Sequence, residues 1–399
     1  MAHYNYLIIG GGMTADAAVQ GIRQVDSTGT IGIISADRDA PYDRPPLSKG
    51  LWKGKPLDGI WRKTKDHNVK LHLGCRAGKF DAKGKQVTDE KGNTYTFDKL
   101  LLATGGTPRR LPFGEGHIIY YRTAEDYRHL RALAQKGKRF AVIGGGFIGS
   151  EIAAALAMND VQVVMIFPES GIGALPYPRE LSDFLTGYYR DQGVEVLPGE
   201  SVEGLERQGD QSVLTTSNQR RIVVDGVVAG IGIEPNMELA RQAGLKVDNG
   251  IVVDEFLRGS TADVYAAGDV ANFHNPALDR RLRVEHEDNA NTMGKQAGRN
   301  MAGKDEPYHH LPYFYSDLFD LGYEAVGLLD SRLETFSDWN KPFRKGAVYY
   351  LRDGRVRGVL LWNVWDQVPA ARELIAERGP FSRDDLKGRL PRVLQSASK

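Results

Sequence analysis

The feature that most limits how this chain can fold is a glycine triplet that occurs twice in the same setting. Residues 6–15 read YLIIGGGMTA and residues 139–149 read RFAVIGGGFIG. Each is an apolar β-type run, then three glycines, then a helix-forming segment, the pattern of a strand that turns tightly into a helix. Helices are expected over residues 17–24 and 151–158, each leading to a second apolar run, at 31–35 and 161–167. Two βαβ units follow, and the predicted fold class is α/β, with two Rossmann-like nucleotide-binding domains.

Length leaves room for more than these two. At roughly 100–200 residues per domain, 399 residues make two or three cores. Residues 305–399 hold 14 of the 36 aromatic side chains, which sets them apart as a third, aromatic-rich layer of small α+β type. Strands are expected there at 323–329, 346–351 and 356–362, then a helix capped by Asp366 with Pro369 in its first turn. Residues 378–399 carry six basic and two acidic side chains and read as a solvated tail. Shorter strands and apolar runs at 85–103, 219–233 and 263–269 connect the layers.

Charge and cysteine usage narrow the chemistry. With 52 Lys and Arg against 51 Asp and Glu, no whole-molecule field favours nucleic acid or an acidic membrane. Cys75 is alone, so a disulfide relay within one chain and cysteine-rich metal sites are ruled out. The pair His309 and His310 lacks accompanying ligands, and no metal site is expected. No secretion signal or membrane span is legible near the start, so the expected location is the cytoplasm.

In the first glycine turn, Gly10 makes the turn, Gly12 lets backbone approach a diphosphate, and Met13, Thr14 and Ala15 open the helix whose positive end meets it. Asp37, 25 residues after Gly12, is placed to bond a ribose hydroxyl. The second turn, Gly144, Gly146, Phe147, Ile148 and Gly149, has the complete glycine pattern, and Glu169 follows Gly149 by 20 residues. A carboxylate there accepts from a free 2′-hydroxyl and repels a 2′-phosphate, so NADH is expected over NADPH. Two dinucleotide sites on one chain suggest a tightly held FAD and an exchangeable NADH.

The runs YDRPPLSK (42–49), LLATGGTPR (101–109), GGGFIGSE (144–151), GIGIEPNMELA (230–240) and YAAGD (265–269) resemble the pyridine-nucleotide-dependent flavin reductases of the ferredoxin-reductase type. RVEHEDNA (283–290), YFYSDLFDLGYEAVGLLDS (313–331) and VLLWNVWDQVPAAR (359–372) resemble the apoptosis-inducing-factor branch of that family. The resemblance implies an FAD-binding domain over 1–111 and 229–304, an NAD-binding domain over 112–228 and a C-terminal domain over 305–399. It implies FAD contacts from Arg44, Lys49, Ala77, Arg109, Asp269, Glu285, His286 and Tyr315. On the NAD side it implies Gly232, Glu285, Tyr315 and Glu324 beside the second glycine turn. Lys49 and Glu151 resemble the ion pair beside flavin N5, which receives hydride, and are the expected catalytic residues. From position alone, Glu151 also reads as an acid favoured in a first helical turn.

Departures shape the acceptor prediction. Tyr315 stands where the family often has tryptophan, and Ala36 precedes Asp37 where relatives often have a glutamate. Residues 335–345 are too few for the long regulatory insertion of apoptosis-inducing factor. The expected activity is hydride transfer from NADH to flavin, then electron delivery to a small iron–sulfur protein of ferredoxin type. The alternative is a redox-sensing interaction protein with a long-lived charge-transfer complex. The protein is then expected as a monomer or as a homodimer formed with NADH.

Overall fold

The computed structural model describes residues 1–390, which form two compact units. The first comprises Met1–Pro46, Pro56–Thr107 and Ile233–Pro312; the second comprises Leu47–Lys55, Pro108–Gly232 and the chain from Tyr313 onward.

The first unit is built on a mostly parallel sheet. Its strands run, in spatial order, Val69–His72, Ile31–Ile34, Ala2–Ile9 and Thr94–Leu102, with Val264–Ala266 also parallel to Thr94–Leu102. Gln86–Asp89 and Ala77–Asp81 extend it as an antiparallel meander. Ile8 sits in register with Ile33 on one side and Leu101 on the other, all of them buried. Strands covered on both faces require such continuous apolar runs. The helix Met13–Arg23 crosses over between the first two strands. It packs against Glu287–Met301 so closely that a Cβ on Gly298 would lie 2.0 Å from Ala18 O.

The second unit holds two five-stranded sheets. One is parallel, in the order Glu195–Pro198, Gln162–Phe167, Arg139–Ile143, Gly226–Ala229 and Ile118–Tyr120. A three-stranded antiparallel excursion over 202–224 interrupts it. The other is the aromatic layer, a five-stranded antiparallel sheet in the order Tyr313–Leu318, Leu321–Gly327, Arg355–Trp362, Lys345–Arg352 and Glu334–Lys341. Tyr323 and Trp362 stack at 5.7 Å between centroids, and Tyr177 meets both rings edge-on. Two Rossmann-like sheets and a small α+β C-terminal region are therefore present.

Several local expectations are corrected. The helices after the glycine turns begin earlier, at Met13 and Phe147, because the last glycine of each turn is already the N-cap. The helix expected after Asp366 is Val368–Ala376, capped at Gln367 with no side-chain bond; Asp366 has a positive φ of 63°. The strands Tyr313–Leu318 and Glu334–Lys341 were not separated in sequence, since aromatic and polar residues mix in both. Within the basic tail, residues 378–390 are folded. Ser382 and Asp385 form a capping box on the helix Arg383–Leu386, and Leu386 and Leu390 are buried. The remainder of that tail lies outside the described residues.

Candidate active site

In the first unit, the strand Ala2–Ile9 runs straight into the glycine turn. Gly10 has φ +115°, and a Cβ there would lie 2.1 Å from Ala103 O, so the turn admits no side chain. Gly12 differs. Its φ of −90° suits any residue, and a Cβ would have only Arg44 Nη2 near it, at 4.0 Å. No protein atom demands glycine at this position, which leaves the space in front of the helix open to a diphosphate. Met13, Thr14 and Ala15 form the first helical turn behind it, with its backbone donors directed there.

Around this turn the fold collects most of the residues expected at FAD. Asp37 follows the second strand and accepts from Tyr42 Oη at 3.1 Å; Arg44 lies over the Tyr42 ring at 5.9 Å. Gly74 N donates to Asp37 O and Cys75 N to Ser35 O, which brings the start of the strand Ala77–Asp81 close to the same corner. Asp269 lies in the turn Gly268–Val270, and a Cβ on Gly268 would meet Thr14 Oγ1 at 2.3 Å. Arg283 donates to Asp269 O at 3.1 Å and pairs with Glu285. His286 is the N-cap of Glu287–Met301, with no side-chain capping bond. The Cys75 thiol is buried and donates to Asp89 at 2.7 Å. Burial first, then the Asp89 bond, pushes its pKa up, the opposite of a reactive thiol.

Sequence reasoning missed a charged group supporting this corner. Asp16, 2% exposed in the first turn of the helix, accepts from Arg62, Gln20 and Thr64. Arg62 also pairs with Asp43, next to Arg44. An aspartate set among the small and apolar residues of MTADAAVQGI is the sequence signal for Asp16; Arg62 gives none.

The second unit repeats the device. Gly144 has φ +114° with Gly230 O 2.5 Å from its would-be Cβ, while Gly146, the N-cap, has no atom within 4 Å of that position. Gly149 could not carry a Cβ, because Gly144 O would lie 2.0 Å away. Phe147 and Ile148 are 36% and 39% exposed beside the open position. Glu169 follows the strand Gln162–Phe167, part-exposed, and its carbonyl accepts from Gly199 N. Arg109 N donates to Gly232 O at 3.0 Å, so these two expected contacts are neighbours.

The segment Leu47–Lys55 packs in this unit. Tyr121 and Trp52 both bond Leu47 O, Asn159 Nδ2 donates to Trp52 O, and Arg131 covers the Trp52 ring at 5.1 Å. Lys49 thereby reaches Glu151, with Nζ 2.8 Å from Oε2. Glu151 is not an acid of the first turn. It lies one turn inside the helix and is 3% exposed. Ser48 Oγ donates to its Oε2 at 2.5 Å and Ser316 Oγ to its Oε1 at 2.6 Å, so both oxygens are satisfied. Neither serine was predicted, although both stand inside quoted motifs.

The Lys49 ammonium lies 5.3 Å over the ring of Tyr315, which faces Glu324 across the strand pair. Glu324 Oε2 is buried without a hydrogen-bond partner. Burial, then repulsion from Asp366, raises its pKa. An orphaned carboxylate oxygen beside Tyr315 is what a missing amide donor would leave, and the nicotinamide carboxamide supplies such a donor. The residues present therefore fit both dinucleotides.

Comparison with known proteins agrees. The family profile described as pyridine nucleotide-disulphide oxidoreductase matches residues 4–294. The profile for the apoptosis-inducing factor C-terminal region matches 297–343 and 337–377. The chain is 36% identical to apoptosis-inducing factor 1, mitochondrial, from Dictyostelium discoideum, over 94% of this chain and 79% of that one. It is 34% identical to the 5,5'-dehydrodivanillate O-demethylase ferredoxin reductase subunit of Sphingobium sp., covering 97% and 96%. Among solved structures, the covalent putidaredoxin reductase–putidaredoxin complex superposes with TM-score 0.90 at 30% identity, covering 96% and 95%. Among the described residues no helix is long and apolar enough to cross a membrane. The chain belongs to the pyridine nucleotide-disulphide oxidoreductase family, as an FAD-dependent NAD(P)H oxidoreductase of the ferredoxin-reductase type.

Proposed function

We propose that this protein takes hydride from NADH and hands electrons to a small iron–sulfur protein of ferredoxin type. FAD, when bound, accepts the hydride and parts with the electrons singly. The observation that carries the reading is the Lys49–Glu151 pair, joined across 102 residues at 2.8 Å directly behind the second glycine turn. In this reading Gly10, Gly12, Asp37, Arg44, Arg109 and Asp269 hold FAD, with Ala77, Glu285 and His286 as further contacts. Gly144, Gly146, Gly149, Gly232 and Glu169 hold NADH, while Phe147, Tyr315 and Glu324 orient the nicotinamide. The FAD-binding domain spans 1–111 and 229–304, the NAD-binding domain 112–228 and the C-terminal domain 305–399; the protein works in the cytoplasm.

The reductase relatives support a ferredoxin acceptor, and the single cysteine removes a dithiol route. The rival sensor reading is favoured by the apoptosis-inducing-factor identity. Against it, Glu334–Lys341 and Lys345–Arg352 are joined by only Pro342, Phe343 and Arg344, where the two pieces of the C-terminal profile meet. Stopped-flow reduction by NADH, followed by mixing with ferredoxin, cytochrome c or quinone, tests the proposal. Rapid ferredoxin reduction without a change in mass is expected. Slow reoxidation by every acceptor, with NADH-dependent dimerisation, would replace it with the sensor.

A further inference from the structure

Ser316 is 1% exposed in the middle of Tyr313–Leu318, in register with Tyr323 of the neighbouring strand. A hydroxyl buried among aromatic rings costs free energy unless it is bonded. Its hydroxyl is spent on Glu151 Oε1, at 2.6 Å, and it is the donor on that oxygen. The other oxygen takes Ser48 and Lys49. The next residue, Asp317, pairs with Lys53 at 3.1 Å, four positions after Lys49. One strand of the aromatic sheet thus grips the Lys49 segment at two points, once through Glu151 and once directly.

We propose that Ser316 is a positioning residue for hydride transfer, holding Glu151 in the one rotamer that presents Lys49. The inference rests on the reductase reading above, because it gives Lys49 and Glu151 their role. Without Ser316, Oε1 would lose its donor in a buried site, and the carboxylate would turn to recover one. Lys49 would turn with it, since its ammonium bonds Oε2. The C-terminal sheet then supplies part of the hydride-transfer machinery in addition to any part in receiving an acceptor.

The test compares Ser316→Ala, Ser316→Thr, Glu151→Gln and the Ser316→Ala/Glu151→Gln double variant, all as FAD-loaded protein. In Ser316→Ala the limiting rate of flavin reduction at saturating NADH should fall about tenfold, with little change in apparent NADH affinity. Ser316→Thr, which keeps the hydroxyl, should restore most of it. In the Glu151→Gln background the same serine change should move the rate by less than about twofold, the coupling expected when one residue acts through the other. The flavin midpoint potential, measured with dithionite and no nicotinamide, should shift in Ser316→Ala and not shift further in the double variant.

A wild-type rate in Ser316→Ala, or an equal loss in both backgrounds, would overturn the proposal and leave the reductase reading intact. A wild-type protein that NADH does not reduce would overturn both.

Discussion

Arg62 Nη1 lies 3.2 Å from Asp16 Oδ2, and Asp16 sits inside the first turn of the helix that follows the first glycine turn. A buried carboxylate at that point opposes an incoming phosphate unless a cation offsets it. Arg62 supplies the cation and uses its remaining donors on Asp43, next to Arg44. Arg62→Ala should lower the melting temperature and release FAD at dilutions where wild type stays yellow. Leaving the carboxylate with only Thr64 and Gln20 costs about 1–3 kcal/mol. Calorimetry and flavin fluorescence after gel filtration check this; a fully loaded variant of unchanged stability would refute it.

Glu169→Ala should narrow the preference for NADH over NADPH by about tenfold, because a charged acceptor to a ribose hydroxyl is worth about 1.5–3 kcal/mol. The ratio of kcat/KM for the two nucleotides is the measurement. Identical ratios in variant and wild type would remove Glu169 from the ribose site.

Lys49→Ala should slow flavin reduction at least about tenfold while FAD remains bound. It also leaves Glu151 buried without its cation. Breaking such a pair costs about 3–5 kcal/mol, less whatever Ser48 and Ser316 retain. A companion Lys49→Arg keeps the charge and separates the stability loss from the rate loss. Were rapid reduction to persist in Lys49→Ala, the lysine would have no place in hydride transfer.

Acid stability has its own marker in the first unit. Asp26 accepts from the backbone amides of Gly29 and Thr28 and from Tyr6 Oη, which holds its pKa down at about 2. A depressed carboxylate stabilises the fold above its unfolded pKa of about 3.9 and loses that contribution as pH falls toward its folded value. Asp26→Asn should therefore cost roughly 1–2 kcal/mol at pH 7, and the deficit should close between pH 4 and about 2. A deficit constant with pH would rule out the charge as its source.

How much could be seen in the sequence follows from where the information is local. The glycine turns were legible because strand, glycines and helix follow one another without a break in the sequence, although the carbonyls that Gly10 and Gly144 make room for, Ala103 O and Gly230 O, belong to remote segments. Glu169 and Asp37 were legible by counting from those turns. Lys49 and Glu151 needed the family resemblance, since nothing in their own surroundings says that a segment from before residue 56 packs beside a helix near residue 150. Ser316 and Arg62 were hidden for a different reason. A serine or an arginine announces no burial in sequence, and their roles exist only once a remote carboxylate has been brought to them. Helix starts were misplaced because the alanines that signal the helix come one turn after the glycine that begins it.

Leu47–Lys55 leaves the first unit at Pro46 and rejoins it at Pro56. Anyone cutting this protein into modules for chimaeras would find that the continuous N-terminal piece carries Lys49 on a segment belonging to the second unit. A transplanted flavin module would need those nine residues exchanged together with their hosts, Trp52's partners among them, or the lysine would arrive without anything to stand on.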